Sequence, residues 1–202
     1  MKKSDLTRAQ IIEGALRSLS QTGVIGTTTR KIAAEAGVRL ATLHYQFDSK
    51  SALLVAVLEA LIDDIAERLR QQRNPSGDDL DDCIEHTLHA AWRNIQRTKQ
   101  IQIVQYELTL YALREGAQWL AARQYEAYVR LYRDHLMNAT RESDRLSLAS
   151  YASLARFILA GLDGLILQEL AKPSSTRSRS GISALITAAR AYARQLRSDR
   201  RS

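Results

Sequence analysis

The chain has 202 residues, and its 28 Ala and 28 Leu against 20 Val plus Ile give it a helix former's composition. Nine Gly and two Pro supply too few turns for a β-sandwich, a barrel or a wound α/β sheet. The net charge of +7 is split, with +4 in residues 1–50, −4 in residues 51–171 and +7 in residues 172–202, so a basic end suited to a polyanion joins an acidic middle.

Thr7 followed by Gln10 reads as a capping box, and Ile12, Ala15, Leu16 and Leu19 then trace one face of an amphipathic helix that ends before Gly23. Thr28 caps a short second helix whose apolar face is Ile32, Ala33 and Ala36, and Gly37 supplies the positive φ that stops it. A third short helix fits Leu40 to Gln46, with Phe47 closing the unit. Three helices in about 40 residues, the last two joined by a tight turn, is the pattern of a helix-turn-helix. In such a unit the third helix fits the major groove of DNA. Arg39, Leu40, Ala41 and Thr42 on its leading turn are candidates for base contacts, with His44 and Tyr45 beside the backbone. Lys50 opposes the macrodipole at the start of the next helix, an arrangement that makes sense if it helps to grip a phosphate.

A long fourth helix runs from Lys50 to Arg73 and ends at Asn74-Pro75-Ser76-Gly77. Further helical runs are predicted over 78–97, 100–115, 117–140, 147–172 and 182–196, which makes the fold class all-α. The Ser- and Arg-rich segment 173–181 is expected to be a mobile loop.

Thr28-Thr29-Arg30-Lys31-Ile32-Ala33, Ala36-Gly37-Val38, Thr42-Leu43-His44-Tyr45-Gln46-Phe47 and Ser49-Lys50-Ser51-Ala52-Leu53 together resemble the DNA-binding segment of the tetracycline-repressor (TetR) family of bacterial regulators. The resemblance implies a helical homodimer whose N-terminal module binds a palindromic double-stranded DNA operator and whose C-terminal module binds a small-molecule inducer. Carried over by position, it puts Thr28 and Arg30 near phosphates, Arg39, Leu40, Ala41 and Thr42 at bases, and His44, Tyr45 and Lys50 on the backbone. The family commonly has Ser where Arg39 stands, Gly where Ala41 stands and Tyr where His44 stands. Arg39 cannot cap a helix as Ser would, and its guanidinium is therefore available to a guanine edge or a phosphate. The domain division that follows is 1–50 for DNA binding, 51–73 as a connecting helix and 74–202 for ligand binding and dimerisation.

Gly161 and Gly164 each cost the helix that holds them about 1 kcal/mol, which close helix approach would offset. With Leu165, and with Ile182, Leu185, Ile186, Ala189 and Ala193 on the final helix, two chains would build a four-helix bundle about a two-fold axis. Trp92, Tyr106, Tyr111, Trp119, Tyr125, Tyr128 and Tyr132 concentrate in the middle of the chain and are candidate walls of a ligand site. Two stripes stand out there, Tyr125, Tyr128, Tyr132 and Leu136, and Ile103, Tyr106, Leu110 and Leu113, and the same spacings also suit plain core.

No enzyme, cofactor or metal is expected. Cys83, His86 and His89 share a helix, but the stripe Leu80, Ile84, Leu88, Ala91 and Ile95 points away from them and leaves all three toward the polar side. The most apolar run, Phe157 to Leu170, is interrupted by Asp163 and Glu169 and is too short for a bilayer, and the N-terminus lacks an apolar leader. These features predict a cytoplasmic chain without a membrane partner. The alternative from another functional class is a helical interaction or scaffold protein that keeps the DNA-binding module without an inducer site.

Overall fold

The computed structural model describes residues 3–71 and 79–198, so the expected boundary at Asn74-Pro75-Ser76-Gly77 lies outside the described residues. Within them nine α-helices follow one another: α1 Lys3–Gly26, α2 Thr29–Glu35, α3 Leu40–Gln46, α4 Lys50–Gln71, α5 Leu80–Arg97, α6 Lys99–Arg114, α7 Gln118–Ala139, α8 Leu148–Ala171 and α9 Ser175–Ser198. A 3-10 turn at Glu142–Asp144 precedes α8, and the described residues contain no strand.

The helices divide into two compact units, one of residues 1–64 and 100–124, the other of residues 65–99 and 125–202. This packing differs from a division into consecutive blocks, because α6 belongs with the N-terminal helices. Its Val104 and Leu108 are buried in one cluster with Ile11, Leu19, Ile32, Leu43, Phe47 and Leu54.

α1 is broken at Gly23, whose φ of +67° only glycine adopts cheaply. Thr28 caps α2 by accepting the Lys31 N–H at 3.3 Å. Gly37, at φ +64°, ends α2. There the N–H groups of Gly37 and Val38 return to the carbonyls of Ala34 and Ala33, each at 3.0 Å, which is a Schellman motif. These devices fix the turn between α2 and α3.

Several expectations need correction. α1 begins a turn before Thr7, so Thr7 lies inside it and Gln10 serves another helix. The 173–181 segment is mostly helix. Glu169 is buried at the end of α8 and accepts from Lys99 Nζ at 2.9 Å, the Ser174 N–H at 3.1 Å and Ser178 Oγ at 2.5 Å, which orders the start of α9. Of the three residues expected toward the polar side of α5, Cys83 is fully buried, His86 is exposed, and the half-buried His89 sits 3.8 Å from Glu85. The stripe Ile103, Leu110 and Leu113 faces outward, and α6 buries Gln102 and Gln105 instead.

In the second unit α8 and α9 cross antiparallel through two reciprocal contacts. A Cβ on Gly161 would lie 2.4 Å from a Leu185 methyl, and one on Gly181 would lie 2.5 Å from a Leu165 methyl. Gly161 and Leu165 therefore serve a crossing within the chain. Ile182, Leu185, Ile186 and Ala189, expected to face a second copy, are buried inside the monomer. Gly164 differs, with nothing within 4 Å of a Cβ built there. By length and composition α8 could cross a membrane, yet it holds Asp163 and the buried, fully partnered Glu169.

Candidate DNA interface and effector site

The polar side chains of α1 hold the helix-turn-helix from behind. Arg8 donates to the Gln46 carbonyl at the end of α3, at 3.0 Å, and lies 4.2 Å over the Phe47 ring. Gln10 Nε2 donates to the Ala36 carbonyl at 2.7 Å, and Arg17 donates to the Glu35 carbonyl at 2.5 Å. A cation at a helix C-terminus complements the macrodipole while it satisfies an orphan carbonyl. Arg8, Gln10 and Arg17 thus cap both helices of the motif. Their signal in the sequence was weak, because a long-range cap leaves no local spacing to read.

With α3 held in this way, Arg39, Ala41, His44 and Tyr45 are exposed, Tyr45 to 85%. Arg39 stands at the N-cap and makes no side-chain cap bond, as its chemistry requires. Thr42 is half-buried, and Leu40 packs partly into the N-terminal core, which leaves less of it outside than the leading turn suggested. Thr28 and Arg30 are exposed at the start of α2. Lys50 points inward. Its Nζ donates to the Val24 carbonyl at 3.0 Å and lies 5.6 Å from the centre of the Tyr111 ring.

α6 reaches this module through a row of side chains. Gln100 Nε2 donates to the Ser20 carbonyl at 2.9 Å, Glu107 Oε2 accepts the Val24 N–H at 3.0 Å, and Tyr111 lies against Lys50. Both backbone groups of Val24 are therefore held, its N–H by Glu107 and its carbonyl by Lys50.

The aromatic candidates separate. Tyr106 and Tyr111 are half-buried on α6, and Trp119 is 56% exposed on the first turn of α7. In the second unit Trp92 and Tyr128 are buried, while Tyr125 is exposed at its edge. There Tyr125 hydrogen-bonds Asp163 of α8, whose charge also acts on Tyr132. Burial first, and then the Asp163 charge and hydrogen bond, push the Tyr125 hydroxyl up to about 12. Burial and the same charge raise Tyr132 as well. A carboxyl group near two phenols is chemistry the aromatic count alone did not reveal. Burial also pushes His135 down. Gln105 was also missed; its Nε2 is buried and finds no hydrogen-bond partner among the described residues.

Residues 11–57 match the model of the bacterial regulatory proteins of the tetR family. The chain belongs to the TetR family. This TetR-family chain is 25% identical over 173 residues to the HTH-type nicotine-responsive transcriptional repressor HdnoR of Paenarthrobacter nicotinovorans, covering 85% of this chain and 88% of that one. Among solved structures it is similar to the multidrug binding protein EbrR complexed with ethidium, at 28% identity and a TM-score of 0.64, over 89% of this chain and 96% of that one. EbrR is also known complexed with malachite green and with imidazole. A TetR-family member from Streptomyces coelicolor A3 matches at 25% identity and a TM-score of 0.66, covering 89% of this chain and 95% of the other. The chain is a transcriptional regulator of this family, and its relatives are regulators rather than enzymes.

Proposed function

We propose that this regulator is a repressor that binds a palindromic operator as a homodimer in the cytoplasm and is released by a small organic base or cation. The observation that carries the reading is α3, exposed along Arg39, Ala41, His44 and Tyr45 and held at its far end by Arg8. In this reading Arg39 and Thr42 read base edges and Leu40 and Ala41 meet thymine methyls. Thr28, Arg30, His44 and Tyr45 hold the backbone, and Lys50 joins them when its Nζ leaves the Val24 carbonyl. The second copy seats on the outer side of α8, where Gly164 is open and Leu167 is 51% exposed.

Asp163, hydrogen-bonded to Tyr125 and acting by its charge on Tyr132, supports the class of inducer, since a carboxylate and aromatic faces both attract an organic cation. Nicotine, ethidium, malachite green and imidazole, named with the relatives, are all bases or cations. A coupling of about 1–3 kcal/mol between the two sites would change operator affinity by roughly 5- to 150-fold.

Gel-shift titration against the DNA flanking the chain's own gene, with and without ethidium or nicotine, tests the reading. The expected result is a retarded complex that dissolves on adding the base. Asp163→Asn should keep the complex and lose the response. A complex that ignores every base tried would favour the scaffold alternative.

A further inference from the structure

The N-terminal unit contains a cleft of about 620 Å³ that the proposed function does not use. Its walls are the end of α1 from Thr22 to Ile25, Lys50 at the start of α4, and α6 from Glu107 to Arg114, with Glu115 beyond. The interior is already a cation site, and its resident is the chain's own ammonium. Lys50 Nζ rests on the Val24 carbonyl at 3.0 Å and faces the Tyr111 ring at 5.6 Å. The Glu115 charge acts on it, and Glu107 lines the same space. The carbonyl ends of α1 and α6 both border the cleft, and the negative end of a helix favours a cation. Lys50 is nevertheless held below its ordinary pKa, because loss of water on burial outweighs the Glu115 charge that raises it. The rim carries two exposed apolar side chains, Ile25 at 84% and Leu110 at 54%, beside the exposed Arg114 and Glu115.

We propose that this cleft is a second small-molecule site, selective for an organic ammonium ion with an apolar body. The ligand's ammonium replaces that of Lys50 against Tyr111, the Val24 carbonyl and Glu115, and its body covers Ile25 and Leu110. The volume is that of ordinary ligand sites, and an aromatic face with a carbonyl and carboxylates is how proteins hold such ions. An anion would find Lys50 and Arg114, but it would also meet Glu107, Glu115 and two helix carbonyl ends. Displaced Lys50 stays in the first turn of α4, where the function proposed above has it grip a phosphate. A ligand here therefore strengthens operator binding, opposite in sign to the inducer. Binding of the ion rests on the cleft alone, whereas the effect on the operator also rests on that proposed function.

Calorimetric titration of the full chain with benzylammonium tests the site, in an Asp163→Asn background so that the carboxylate bonded to Tyr125 does not contribute. Lys50→Ala removes the resident competitor and should bind benzylammonium several-fold more tightly. Tyr111→Ala should bind it about ten-fold more weakly, and Glu115→Gln should weaken it less. Benzoate should not bind. A Lys50→Ala chain that binds no more tightly, a folded Tyr111→Ala chain with unchanged affinity, or benzoate bound in preference, would each overturn the site. For the coupling, saturating benzylammonium should steepen the salt dependence of log operator affinity by about one unit as Lys50 joins the phosphate contacts. An unchanged slope with benzylammonium bound refutes the release of Lys50. Absence of any operator complex before ligand is added refutes the proposed function instead, and leaves the calorimetric result standing.

Discussion

A methyl group at Gly14 would fall 2.6 Å from the Ala36 nitrogen, 2.7 Å from its Cβ and 2.8 Å from its Cα. Two of those atoms are backbone, so no rotamer change relieves the clash and α1 must move away from α2. Gly14→Ala is expected to destabilise the chain by about 1–3 kcal/mol despite alanine's better helix propensity, as thermal unfolding would report. A melting temperature at or above the original would mean that the two helices tolerate separation. Arg39 poses a different question at the same scale, because it is exposed and caps nothing. Arg39→Ala should leave unfolding unchanged, cost about 1–3 kcal/mol of operator binding and relax one symmetric pair of base positions in a binding-site selection. A selected motif identical to the original would remove Arg39 from base readout.

At the scale of elements, Glu169 joins the end of α8 to the start of α9 and to Lys99. Hydrogen bonds from Ser178, Lys99 and the Ser174 amide hold its carboxyl down to about 2, against an ordinary 4.5. A folded-state pKa below the unfolded one stabilises the chain fully above about 4.5, and that contribution is lost as pH falls toward 2. Glu169→Gln should flatten the acid limb of a stability-against-pH curve over that window, and an unaltered limb would show that the carboxylate's partners are not what holds α9. This contact also explains what could be read in advance. Helices α2 and α3, the Thr28 cap and the Gly37 stop are encoded within a few residues and were legible to the residue. The start of α9 depends on a carboxylate nine residues before Ser178, and the caps supplied by Arg8 and Arg17 come from 38 and 18 residues away. The cluster around Asp163 and the cleft under Lys50 are equally non-local. Sequence spacing listed Tyr111 and Tyr125 together, and packing gives them different neighbours.

For the whole molecule, the glycines of α8 separate two roles that the sequence had merged. Gly161 admits Leu185 of its own chain, so its small size is already explained by the monomer. Gly164 admits nothing within the chain, and Leu167, one turn on, is half exposed. A second copy that covers this row would hide exposed apolar surface and bring two recognition helices under one two-fold axis, as a palindrome requires. Gly164→Leu should therefore leave the monomer's helicity and core intact, since the added side chain enters open space within the chain. In the dimer it should overpack, at a cost of about 1–3 kcal/mol. Sedimentation at micromolar concentration is expected to give a dimer for the original chain and a larger monomer fraction for the variant, with operator affinity falling in parallel. Gly161→Leu gives the contrasting result, lost thermal stability before any loss of association, because its neighbour is Leu185. If Gly164→Leu dimerises and binds the operator normally, the two-fold contact lies on another face of the molecule.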